Sequence, residues 1–246
     1  MKKPVLFLLA CCLLLGAPAV ATASGNDNIP GVPIPASPIQ GYLDAKSNKV
    51  DVYSLAMRQS DRLTMTINGV STLFSHDILS NYGVNMAVYG PDAMDIKGTK
   101  SLANKGAWSF PTTWTFSAPS AATYYLAISV GGYGYGNYSL AYACQSPTIT
   151  ALTSGPKTIR RGSSVSVSGN VKYAVDPAPL PEVEVTLLAW AVAKEEWIAK
   201  AHTRTDSDGR FSFAAKPLKT TIYCVNTVET DTLLGSYSPM LKYVVR

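Results

Sequence analysis

Apolar and polar residues alternate in short runs along most of this chain. Val50, Val52 and Ser54 interleave with Asp51, Tyr53 and Leu55, and Leu63, Met65 and Ile67 with Arg62, Thr64 and Thr66. Asn85 to Tyr89 runs into Gly90-Pro91-Asp92, and Trp114 and Phe116 precede Ala118-Pro119-Ser120. A period of two predicts strands with one buried face, and the Gly, Pro and Asn-Gly steps predict the turns between them. Tyr124, Leu126, Ile128 and Val130 fall on one face of the next strand, and Tyr138, Leu140 and Tyr142 on one face of its return. The pair reads as a hairpin whose loop is GGYGYGN, and its aligned faces read as core. This half carries no sustained helical period.

The second half repeats the pattern in different words. Pro147 to Thr153 and Ser163 to Val171 read as strands, followed by a proline-rich turn at DPAPLPE. Val183, Val185 and Leu187 alternate with Glu182, Glu184 and Thr186, and Trp197 sits in the next strand. Asp208-Gly209 reads as a hairpin turn before Phe211 and Phe213, and Thr220 to Val228 and Pro239 to Val245 complete the set. The expectation is an all-β chain of two β-sandwiches in tandem, the second with the strand count of an immunoglobulin-like sandwich. The domains are residues 38–144 and 146–246.

The first residues follow a different rule. Lys2 and Lys3, the apolar run Val5 to Leu15 and the A-x-A site Ala21-Thr22-Ala23 read as a signal peptide, residues 1–23, cleaved before Ser24. The apolar run is shorter than the roughly 20 residues a bilayer span needs. Leu8-Leu9-Ala10-Cys11 resembles a lipobox and is the rival reading. Residues 24–37 hold closely spaced prolines, which forbid helix and favour an extended linker. The mature chain is expected to be secreted or associated with the cell surface.

Charge narrows the partners. The formal net charge is +5, but Lys2 and Lys3 leave with the signal peptide. Ser24 to Cys144 carries seven basic and seven acidic residues, and Gln145 to Arg246 twelve and nine. The small excess, with Lys157, Arg160 and Arg161 in one turn, is far from a nucleic-acid footprint. No H-E-x-x-H, G-x-S-x-G or P-loop occurs, and Ser75-His76-Asp77 reads as a polar loop. No catalytic residue is expected. Asp206-x-Asp208-Gly209 lacks the later ligands of a calcium loop, and no zinc spacing exists, so neither metal nor cofactor is expected.

An ordered set of short pieces in the first half resembles the bacterial pre-peptidase C-terminal (PPC) family. These are Gly41-Tyr42-Leu43, Asp51 to Leu55, Asp61 to Thr64, Asn85 to Pro91, Phe116 to Pro119, Thr123 to Leu126 and Gly136 to Leu140. The resemblance covers roughly residues 38 to 143. It implies a jelly-roll-type β-sandwich appended to exported proteins. Asn85 stands where many relatives have aspartate, and the acidic cluster of calcium-binding members is not found. Arg161 to Gly169, Pro181 to Leu187 and Thr205 to Phe213 resemble bacterial Ig-like modules, which are spacers or adhesion units.

Two cysteines survive maturation, Cys144 and Cys224. The Ig-like resemblance turns Tyr223 and Val225 inward and Cys224 outward. A disulfide between Cys144 and Cys224, free thiols and intermolecular pairing all stay open. Tyr133 and Tyr135, among the glycines of the loop, are the candidate binding residues. Either they stack on a ligand or they fold back and cap the sandwich edge. The functional expectation is an exported, non-enzymatic binding or adhesion protein for an extracellular matrix, cell-wall or polysaccharide target. Its partner is an extracellular protein or polysaccharide, without nucleic acid and without a membrane span. A structural spacer or surface-layer component is the alternative.

Overall fold

The computed structural model describes residues 28–69, 83–107, 109–131 and 134–246. They form strands and turns, and no helix among them is long and apolar enough to cross a membrane. The strands are β1 (Val32–Pro33), β2 (Ile39–Asp44), β3 (Val50–Met57), β4 (Arg62–Gly69), β5 (Val84–Tyr89), β6 (Ala103–Ala107), β7 (Thr112–Ser117), β8 (Ala122–Val130) and β9 (Tyr135–Leu152). Then follow β10 (Lys157–Ile159), β11 (Val165–Tyr173), β12 (Glu184–Ala191), β13 (Glu196–Arg204), β14 (Arg210–Ala215), β15 (Thr221–Thr227), β16 (Leu233–Leu234), β17 (Ser236–Tyr237) and β18 (Leu241–Val245).

The first sandwich faces β3-β8-β5-β6, with β1 on its edge, against β2-β9-β4-β7. From β2 to β9 consecutive strands alternate between the two layers except for the paired β5 and β6, and the neighbours are those of a jelly roll. The alternation read from the sequence sets its core. Tyr124, Leu126 and Ile128 of β8 meet Tyr138 and Leu140 of β9, Leu63, Met65 and Ile67 of β4 and Met86 and Val88 of β5. The second sandwich packs β14-β11-β9 against β10-β18-β15-β12-β13 around Val167, Val185, Leu187, Phe211, Phe213, Val225 and Tyr243. This layering, with the short β10 parallel to the last strand β18, is immunoglobulin-like.

β8 and β9 do not form the expected hairpin. β8 pairs with β3 and β5, whereas β9 pairs with β2 and β4. β8 and β9 therefore belong to opposite layers. The physical reason lies in the apolar faces: side by side they would share one surface, whereas across the sandwich each buries the other. Asp208-Gly209 is likewise a turn but not a hairpin, because β13 and β14 belong to opposite sheets. There Asp206 Oδ1 accepts from the N–H groups of Asp208 at 2.9 Å and Arg210 at 2.8 Å, and Gly209 has φ 69°. Only glycine takes such a backbone angle at little cost.

The expected linker is a docked segment over its described part. β1 lies parallel to β3, and Ile34 N–H donates to the Ser54 carbonyl at 2.9 Å. Ile29 covers Val50, Val52 and Ala127 on the outer face of the sheet, and Val32 and Ile34 pack against the main core. The prolines keep the segment extended, and its interspersed isoleucines and valine give it something to bury.

The boundary expected at Cys144 to Ser146 falls inside β9, a single strand of 18 residues and about 60 Å. Residues up to Gln145 pair with β4, and from Ser146 onward the partners are β16 and β11. Pro147 has no N–H to lose, and its carbonyl accepts from Ala174 at 2.9 Å. The last strand of the jelly roll is thus the first strand of the immunoglobulin-like sandwich.

Candidate functional site

The exposed tyrosines define the most distinctive surface. In the β2–β9 pair, Ile39, Leu43 and Tyr138 point inward and are fully buried. The alternate residues Gln40, Tyr42 and Asp44 on β2, and Tyr135, Asn137 and Ser139 on β9, share the outer face. Tyr42 lies opposite Asn137 and Tyr135 opposite Asp44, so the two tyrosines are diagonal neighbours, exposed at 45% and 57%. Diagonal positions are about 7–8 Å apart, within reach of aromatic rings. Polar groups flank them in fixed positions. Gln40 Nε2 donates to Ser139 Oγ at 3.0 Å, and the Asn48 amide donates to the Tyr42 carbonyl at 2.6 Å. The Lys46 N–H at 2.8 Å holds the Asp44 carboxyl below its usual range. Further along the sheet, Thr66 and Thr113 are joined by a 2.9 Å hydrogen bond.

A buried lock sits beneath this face. Tyr138 donates its hydroxyl to Asp51 Oδ2 at 2.7 Å, and Tyr53 is 2.7 Å from the same hydroxyl. Asn48 Nδ2 reaches the other Asp51 oxygen at 3.3 Å. Burial pushes the Tyr53 hydroxyl up to about 12, and raises Tyr138 further with help from the Asp51 charge. Both phenols therefore stay protonated, and the lock ties β9 to β3 across the core. Tyr124 and Tyr142 also find partners, the carbonyls of Ser120 at 2.9 Å and Pro35 at 2.7 Å. All four tyrosines thus meet the need of a buried phenol for a partner.

Tyr133 lies outside the described residues, as does Ser75-His76-Asp77. Tyr135 is not at a loop tip; it begins β9. Its exposure leaves it no capping role over the core. Tyr42 was missed by the sequence reading, although its alternation with Leu43 carried the signal.

Cys144 and Cys224 are both free, and the disulfide between them is not formed. Cys144 packs against the jelly-roll core, with Sγ 4.0 Å from Asp61 Oδ2. Cys224 faces outward from the second core as expected, yet it is only 5% exposed. The segment after β17 folds over it, and Sγ donates to the Ser238 carbonyl at 3.3 Å. Burial and the neighbouring Asp61 push the Cys144 thiol from 9.0 up to about 11. At pH 8 that shift lowers its thiolate fraction on the order of 100-fold. The native mature chain should therefore react with a disulfide reagent far more slowly than the denatured mature chain, with its two thiols appearing on denaturation. Rapid native labelling of Cys144 at pH 8 would contradict this environment.

The sandwiches meet in a polar junction. Gln145 Nε2 donates to Glu229 Oε1 at 2.9 Å and to the Thr230 carbonyl at 2.8 Å, while Gln145 Oε1 accepts from Arg62 at 3.2 Å. Arg58, in the turn between β3 and β4, lies over the Tyr173 ring at 4.0 Å from its centroid.

No protein-family model matches the chain, and no curated protein matches it. Among solved structures it is similar to fibronectin(III)-like modules of CbhA from Clostridium thermocellum. The identity is 11%, over 80% of this chain and 94% of that chain, with a TM-score of 0.37. A beta-1,2-glucanase from Parabacteroides distasonis matches at 12% identity over 85% of this chain and 32% of its own, TM-score 0.26. A glycosyl hydrolase family 2 member from Bacteroides cellulosilyticus matches at 10% identity over 77% and 28%, TM-score 0.24. The chain therefore spans about a third or less of these two enzymes. Its own strand order makes it an all-β protein of two sandwiches in tandem, a jelly roll followed by an immunoglobulin-like sandwich.

Proposed function

We propose that this chain is an exported, non-enzymatic binding protein for an extracellular polysaccharide of a matrix or cell wall. The first sandwich would be of the PPC kind, as the ordered pieces from Gly41 to Leu140 suggest. The observation that carries the reading is the pairing of Tyr42 and Tyr135 on the outer face of a locked sheet. Two amphipathic rings beside Gln40, Asn137 and Ser139 offer what a sugar chain needs: flat faces for its C–H surface, and amide and hydroxyl groups for its hydroxyls. A sheet holds such groups more firmly than a loop does. Export rests on the signal-peptide reading of residues 1–23.

A structural spacer is the second reading, and β9 favours it. One strand running through both sandwiches, with hydrogen-bonded side chains at the crossing, suits a stiff connector.

Depletion of the mature chain from solution by insoluble cellulose, chitin, peptidoglycan and collagen separates these readings. The expected result is retention on at least one of the polysaccharides. No retention on any of them would overturn the binding reading and leave the spacer.

A further inference from the structure

We propose that the free end of the immunoglobulin-like sandwich docks on an anionic lipid surface, with Leu218 as its apolar contact. The inference goes beyond the polysaccharide reading and uses a different part of the chain. Strand registers define this end: β12, β14 and β18 finish there, and β11, β13 and β15 begin there. The opposite end meets the jelly roll where β9 enters the sandwich. The modest net charge of this sandwich conceals a polar distribution. Asp176, Glu182 and Glu184 lie before and at the start of β12, Asp206 and Asp208 precede β14, and Glu229 and Asp231 follow β15, all at the junction end. Residues 154–175, 209–228 and 232–246 contain no acidic side chain. Their basic residues, Lys172 and Arg210 apart, gather towards the free end.

Two turns form the crown of this end. Arg160 and Arg161 lie in the turn from β10 to β11, and Lys216 and Lys219 in the turn from β14 to β15. The turns are joined, because the Gly162 N–H donates to the Pro217 carbonyl at 3.4 Å. The Arg161 N–H donates in turn to the Arg246 carbonyl at 3.1 Å. All four cations are exposed, and none enters a salt bridge among the described residues. Leu218 stands between the two lysines and is 63% exposed. It lies beside Gly162, where an added Cβ would meet its Cδ2 at 4.0 Å. The crown is thus an apolar side chain among four cations on a hydrogen-bonded base. The acidic residues at this end are Glu195 and Glu196, at the turn from β12 to β13. Lys194 engages Glu196 at 3.6 Å, and the same turn adds a second exposed apolar residue, Val192.

Charge and apolar area together select the partner. Each Lys or Arg beside an anionic bilayer strengthens binding about fivefold. A leucine that enters the headgroup boundary adds apolar burial to that attraction. An acidic polysaccharide or a nucleic acid would use the cations but leave Leu218 in water. The two turns also contain no aromatic residue to stack on a base. β9 begins at Tyr135 and ends in the second sandwich. A chain docked by its crown would therefore hold the Tyr42 and Tyr135 face away from the lipid, towards a surrounding wall or matrix.

The test is co-sedimentation of the mature chain with vesicles of phosphatidylglycerol and phosphatidylcholine in equal parts, and with vesicles of phosphatidylcholine alone. The salt is held at about 0.1 M, where the screening length is about 10 Å. Binding is expected on the anionic vesicles and not on the neutral ones, and it should fall on the order of tenfold at about 1 M salt. Arg160→Gln/Arg161→Gln should weaken it about 25-fold, and Leu218→Ser about tenfold. These three side chains are exposed, so thermal melts should match those of the native chain. Tyr42→Ser/Tyr135→Ser should bind the vesicles as the native chain does, and the arginine variant should keep its retention on polysaccharide. Vesicle binding thus stands or falls apart from the tyrosine site. The inference is overturned if the anionic vesicles are not bound, or if Leu218→Ser binds them at full affinity. It also fails if the tyrosine variant loses vesicle binding. Retention on alginate or DNA without vesicle binding would assign the crown to a soluble polyanion instead.

Discussion

Gly41→Ala is expected to destabilise the jelly roll by about 3 kcal/mol, the upper range for overpacking a filled core. A Cβ at position 41 would overlap the ring and hydroxyl of Tyr138. Long side chains normally relieve such a clash by changing rotamer. Tyr138 cannot, because its hydroxyl is fixed by Asp51 and Tyr53, each at 2.7 Å, and its ring is fully buried. Moving the ring would break a hydrogen bond to a buried carboxylate, worth about 1.5–3 kcal/mol. Moving β2 instead would separate Ile39 and Leu43 from the core. Urea unfolding of the two proteins measures the difference. A loss below about 1 kcal/mol, the ordinary scale for a point mutant, would mean that the lock is not as rigid as described.

Gly169→Ala is expected to do comparable damage in the second sandwich. Gly169 of β11 lies opposite Leu152 of β9 on one side and Phe211 of β14 on the other. An added Cβ would overlap the Ala151 carbonyl oxygen and approach the Phe211 ring to 2.7 Å. A backbone carbonyl in a ladder cannot step aside without loss of pairing. We expect a cost of about 3 kcal/mol, with faster amide exchange across residues 148–152 and 165–173. The two hydrophobic cores are separate clusters and meet through polar contacts. Protection of residues 63–67 in β4 should therefore be unchanged, as expected of independent cooperative units. Equal loss of protection in both sandwiches would show instead that β9 couples them into one unit.

The core of this fold was legible because a period of two marks which residues face inward. Leu126, Ile128, Leu140, Met65 and Val185 all follow it. Sheet membership was not legible at β8 and β9. A strand that faces its neighbour across a sandwich has the same alternation as one beside it in a hairpin, and the GGYGYG loop can serve either connection. The same ambiguity hid the arch at Asp208-Gly209. At Cys224 the facing direction was read correctly and the burial was not. The inward neighbours Tyr223 and Val225 fix the direction, whereas the cover comes from Ser238, distant in sequence. The prolines before Ile39 revealed an extended backbone but not that Ile29, Val32 and Ile34 would be its anchors. Of the candidate site, Tyr135 was found through its glycine neighbours. Tyr42 emerged only once β2 was seen to pair with β9.

The most direct measurement compares the mature chain with Tyr42→Ser/Tyr135→Ser in depletion by the polysaccharide that retains the native protein best, with thermal melts in parallel. Both tyrosines are exposed and neither belongs to a core cluster, so the melts should coincide. Loss of two aromatic contacts of about 1 kcal/mol or more each should weaken retention roughly thirtyfold. Full retention by the double variant, at an unchanged melting temperature, would contradict the assignment of binding to this face.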